Sequence, residues 1–214
     1  MKNLVCVALL AGSALSSSAL GITVSAQPIE GGGGYIDRVA TVYSSLTGGY
    51  ASFPAATGPL GFDDYSTTNA SDNVTTLAQF KFVGGVSTVG GTLTMQFFDP
   101  NNGNSLFNAF NVSLPQAGNF IWTITLGALP DGSDSTFVVP TNGIVQIVAA
   151  PTTTGQFFFT GAGLPAAVGS NNPAFGSGAA LNRNQAFELV AVPAPGALAI
   201  VGLGGLVAAR RRRA

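Results

Sequence analysis

The chain of 214 residues contains no histidine. That absence removes Ser-His-Asp and Cys-His catalysis, and with them every imidazole metal site. A single cysteine, Cys6, lies close to the start. No intrachain disulfide can form, and a chain shortened at that end keeps no thiol chemistry. Charge is scarce, at 8% of residues. No P-loop or dinucleotide fingerprint is present, because the glycines at 31–34 lack the strand that must precede them. Between positions 27 and 192 no segment repeats apolar residues at the spacing of an amphipathic helix.

Few acid or base groups are left for chemistry. Asp63 and Asp64 are adjacent, and neighbours in a strand face opposite sides. A glycosidase instead needs two carboxyls across one cleft. Asp63-Asp64-Tyr65 reads more simply as a polar turn, so the chain is expected not to be an enzyme and to carry no cofactor. Asp99, Asn101 and Gly103 partly echo a calcium loop, as do Asp131 and Asp134. The full spacing and the closing glutamate are missing. Asx-type turns account for both, and no metal site is expected. Trp122 could stack on a sugar, yet it alternates with core positions and is expected to be buried.

What is abundant points to a folded β domain. All fifteen phenylalanines and the single tryptophan follow position 26. Such an apolar set is foreign to a disordered stalk. Phe120, Trp122, Ile124 and Leu126 alternate with Ile121, Thr123 and Thr125. Leu93, Met95 and Phe97 alternate with Thr92, Thr94 and Gln96. Period-two patterning marks half-buried strands. Strands are predicted over 39–44, 76–83, 92–98, 107–114, 119–126, 136–139, 143–149, 156–160 and 186–190. The segments 99–103 and 115–118 read as hairpin loops, and 130–132 and 141–143 as similar turns. Residues 66–73 and 161–184 read as long polar loops, the second unusual for a compact domain. The predicted fold is all-β, a single antiparallel β-sandwich of jelly-roll type. Between positions 27 and 195, three basic residues face nine acidic ones, a net of −6. Nucleic acid is therefore not an expected partner.

The two ends carry a different message. Lys2 followed by the apolar run 4–15 and Ser16, Ser17 and Ser18 has the form of a secretory signal helix. Two cleavage points fit the small-x-small rule. Val24-Ser25-Ala26 before Gln27 is favoured over Ala19-Leu20-Gly21 before Ile22. The domains are then a signal peptide at 1–26, an ectodomain at 27–191 and a tail at 192–214. The tail reads Val192-Pro193-Ala194-Pro195, an apolar segment at 196–209, then Arg210, Arg211, Arg212 and Arg213. As a helix, 196–209 would span about 21 Å against a hydrocarbon core of about 30 Å. Its apolar side chains contribute only about −2 to −4 kcal/mol to insertion. It suits temporary retention as a transmembrane helix, with the arginines stopping at the cytoplasmic side.

This tail resembles the PEP-CTERM sorting signal of Gram-negative and planctomycete-type bacteria. There a V-P-x-P-type motif precedes a short span and an arginine-rich end. The match covers about the last 23 residues and departs at Ala194, where the family usually has glutamate. The ectodomain is similar to the small β-sandwiches such proteins carry. The resemblance implies recognition at Val192, Pro193, Ala194 and Pro195 by an exosortase-type enzyme, after signal peptidase has acted at Ala26. It implies an exported protein, briefly anchored in the inner membrane and then delivered to the cell surface or extracellular matrix. Extracellular polysaccharide is a further expected partner. The alternative is a lectin-like module that binds carbohydrate or calcium at the cell surface.

Overall fold

A computed structural model of the chain describes residues 21–29, 41–68, 73–129, 131–160 and 164–192. The strands are β1 (Ile22–Pro28), β2 (Thr41–Ser44), β3 (Ala51–Ser52), β4 (Gly58–Ser66), β5 (Val74–Val86) and β6 (Thr92–Asp99). Then come β7 (Ser105–Ser113), β8 (Gly118–Leu126), β9 (Val138–Pro140), β10 (Asn142–Ala149), β11 (Gly155–Phe159) and β12 (Phe187–Ala191). Short 3-10 turns occupy Pro100–Asn102 and Ala179–Leu181.

All pairings between these strands are antiparallel. One sheet runs β4-β10-β6-β7. In the other, β1-β8-β5 continues on the far side of β5 into β12 and β2, and into β11 and β3. Period-two alternation explains how the sheets meet. Phe80, Phe82, Trp122, Ile124, Phe187 and Leu189 of the larger sheet pack against Leu93, Met95, Phe97, Phe110, Val145 and Ile147 of the smaller. Phe80 sits at the centre, with ring centroids 5.8 Å from Phe97, 6.3 Å from Phe110 and 6.1 Å from Phe187. A smaller cluster of Leu46, Val83, Ile121 and Ala186 covers part of the larger sheet's other face.

The nine predicted strands are present among the described residues, with shifted ends. Three others were not predicted, namely β1, β3 and β4. The turns also need correcting. Asp99–Asn104 does join a hairpin, with the Asp99 carboxylate accepting from Asn101 N and Gly103 in the left-handed region. The residues at 115–118 do not. They carry the chain from β7 in one sheet to β8 in the other, because β8 spends its edges on β1 and β5. Asp63-Asp64-Tyr65 is not a turn but the second half of β4, paired with β10.

The long segment before β12 seals an open side of the sandwich. Its Val168 pairs with Ser44 of β2, while its Ser170 pairs with Ser66 of β4. Ser177 N donates to Phe62 O, and Phe62 N donates to Ser177 Oγ. An outer strand presents unpaired backbone groups that would template aggregation. Here irregular chain satisfies them on both sheets at once.

The two ends of the described body lie together. Ile22 pairs with Leu126, Thr125 with Gln79, and Leu77 with Ala191. The start of β1 and the finish of β12 are thus at the same end of one sheet. Three strand spacings separate them, about 15 Å.

Candidate functional site

The sequence-predicted site residues divide into those the structure places and those beyond it. Ala26 lies within β1 opposite Trp122 and packs against the core. Val192 follows β12 without a linker, and its N–H donates to Thr76 O at 2.9 Å. Pro193, Ala194, Pro195, Arg210, Arg211, Arg212 and Arg213 lie outside the described residues, as do the signal helix and the apolar segment at 196–209. Among the described residues no helix is long and apolar enough to cross a membrane.

The residues weighed for ligand chemistry have other partners. Trp122 is 0% exposed, and its Nε1–H donates to Gly84 O at 2.9 Å. It cannot offer a face to a sugar. The Asp131 carboxylate accepts from Ser133 N. That of Asp134 accepts from Ala128 N and Leu129 N. The Asp99 and Asp131 contacts are Asx-type, two residues on, whereas Asp134 instead reaches back five and six positions to tie the loop to the end of β8. Among the described residues no three acidic, cysteine or histidine side chains are grouped to hold a metal ion. A cleft of about 190 Å³ lies among Leu164, Ser170, Asn171, Asn182 and Asn184. Another of about 250 Å³ lies among Ala55, Gly85, Ser87, Asn119 and Gln156. Neither is lined by a carboxylate.

Sequence reasoning missed the environment of Asp63. The side chain points inward from β4 and is fully buried, whereas Asp64 points outward and is half-buried. The Asp63 carboxyl accepts from Gln185 N at 2.7 Å and from Asp64 N at 2.9 Å. Gly176 passes so close that a Cβ there would lie 2.7 Å from Asp63 Oδ1. Asp64 in turn receives Asn172 N on both oxygens at 3.1 Å. The two carboxyls therefore anchor the sealing segment to β4, one from each face. Burial pushes Asp63 up to about 8; the donated N–H of Gln185 opposes the shift, and the charge of Asp64 adds to it. Burial likewise raises Asp64, against the Asn172 N–H.

A pH dependence follows, and its sign is fixed. Between the ordinary aspartate value of about 4 and about 8, folded Asp63 holds a proton that the unfolded chain has released. Raising the pH through that window should weaken the fold. Urea midpoints at pH about 5 and about 8 should differ, the second being lower. The difference should shrink in Asp63→Asn. A wild-type midpoint that stays level or climbs would contradict the assignment.

Comparison with known proteins gives no match. No family model, no curated protein and no solved structure is similar to this chain.

Proposed function

We propose that this chain is a non-enzymatic exported protein of the cell surface or extracellular matrix, sorted through its tail. Signal peptidase removes the leader. The segment at 196–209 then holds the domain in the inner membrane while an exosortase-type enzyme acts at Val192-Pro193-Ala194-Pro195. The observation that carries this reading is the order of three parts at the C-terminus: a proline-containing motif, a short apolar segment and four arginines. Moving those arginines through lipid costs roughly 2.5–3.5 kcal/mol each, which keeps them on the cytoplasmic side.

The body supports the reading in two ways. Setting aside β1, β3, β9 and β11, the larger sheet keeps the order β2-β12-β5-β8 and the smaller β4-β10-β6-β7. That order supports reading the body as a jelly roll built from two Greek keys. Ile22 and Ala191 leave the domain at one end, so the leader and the tail can enter the same membrane without straddling the body.

Intact-mass measurement of the exported product tests the proposal. The expected mass lacks both the leader and Arg210–Arg213. A secreted product that retains the arginines would refute cleavage of the tail. Full-length chain confined to the cytosol would refute export altogether.

A further inference from the structure

We propose that the leader is removed at the Gly21–Ile22 bond and not after Ala26, so that β1 is a strand of the mature protein. This inference rests on the export reading above. Water adds across that amide. Its hydroxyl goes to the Gly21 carbonyl carbon and its proton to the Ile22 nitrogen. The leader departs with a Gly21 carboxylate, and the mature chain begins with the Ile22 ammonium.

The two cleavage points differ by five residues. Those five, Ile22 to Ala26, supply five of the seven β1 positions that pair with β8. They also supply Ile22, Val24 and Ala26, whose side chains pack on the main core. A cut after Ala26 would leave only Gln27 and Pro28 on β8, and Pro28 has no N–H to give. The nine residues of β8 would then form a bare outer strand with Ile121, Trp122, Ile124 and Leu126 in it. A long hydrophobic outer strand is an aggregation template.

With β1 retained, the outermost strand is polar on its exposed face. Thr23, Ser25 and Gln27 point to solvent, and Pro28 ends the strand. Polar residues and a terminal proline are how native sheets finish an edge. The cut before Ile22 falls at the boundary of the strand. Among the described residues it disturbs the hydrogen bond from Gly127 N to Gly21 O. Ala19 and Gly21 supply the small residues that signal peptidase needs at the third and first positions before the bond.

The test is the N-terminus of the full chain exported from a Gram-negative host, read by N-terminal sequencing and intact mass. Ile22 is the expected first residue. Gln27 would overturn this inference while leaving export intact. Met1 on all of the protein would instead overturn the export reading on which it rests. Two variants of the full chain separate the cleavage points independently. Ala19→Leu should block leader release, so that precursor accumulates, whereas Ala26→Leu should process as wild type. The opposite pattern would overturn the proposal. Ala19 is preferred to Gly21 for this purpose, since a Cβ at Gly21 would lie 3.0 Å from Ala128 Cα.

Discussion

Replacing Lys81 by methionine should destabilise the domain by about 3–5 kcal/mol, although the lysine is near the surface. Lys81 on β5 and Glu188 on β12 are directly paired across the sheet. Lys81 Nζ donates to Glu188 Oε1 at 2.7 Å. The glutamate side chain is 0% exposed and the lysine 15%. The other oxygen, Oε2, has no hydrogen-bond partner among the described residues. Glu188 thus depends on one cation for its compensation. Removing Lys81 would strand a charge inside the protein, and that is the costly event. The pair itself contributes far less than this, because both groups gave up water to meet. Lys81→Met combined with Glu188→Leu should therefore recover most of the loss. Urea unfolding of the two single variants and the double one forms the cycle that measures this. A single-variant loss below about 1 kcal/mol would mean the pair behaves like an exposed ion pair.

A comparable loss, about 3–5 kcal/mol, is expected for Trp122→Ala. The indole fills the interior beside Phe120, with ring centroids 5.3 Å apart at 75°. Its N–H also satisfies the carbonyl of Gly84. Alanine would leave a cavity and remove a hydrogen bond to the buried Gly84 carbonyl. Trp122→Phe separates these effects. It keeps most of the apolar volume and loses the hydrogen bond, so about 1–3 kcal/mol is expected. Around Gly84 and Gly85, β5 is pressed between β8 and β11. A Cβ on Gly84 would lie 2.2 Å from Gln156 O, and one on Gly85 would lie 1.8 Å from Gly118 O. The neighbourhood has little freedom to collapse into a void, which keeps the cost of truncation near the upper end. Against a total stability of about 5–15 kcal/mol, the alanine variant should be partly unfolded at moderate temperature. An unchanged denaturation midpoint would show that the indole is not an interior anchor.

Some strands that sequence alone revealed have one clean buried face, while β2 and β12 are buried on both. In β6 and β10, inward residues alternate with outward ones and the observed burial follows that beat, whereas β8 also buries Ile121 and Thr125 on its other face. Strand β4 was hidden because Gly58, Pro59, Gly61 and the acidic pair all resemble turn residues. Within it, Gly58 is there for its left-handed φ of 74°, and Gly61 for space, since a Cβ on Gly61 would lie 3.0 Å from Gln185 Nε2. Its acids are there to hold the segment that covers it. Strand β1 was hidden by its place, since Ile22 to Ala26 fall within the stretch assigned to the leader. The Asp63 environment was not legible for another reason. Its principal donor, Gln185, is 122 positions away, and no local pattern connects them. The length of the loop before β12 was conspicuous in the sequence. Its work as a double edge cover became visible only once β2 and β4 were seen beside it.

The position of β12 also governs when the fold can close. This last strand lies between β2 and β5 and takes partners at 41–44 and 77–82. Until residue 191 has been made, a central slot of the larger sheet is empty and neither neighbour has its full ladder. Contacts so distant in sequence must meet their loop-closure entropy before any pairing rewards it, and such topologies form slowly. A nascent chain of this kind stays open for nearly its whole synthesis. For a polypeptide exported as proposed, that delay keeps it threadable through a translocation channel until its final strand has passed.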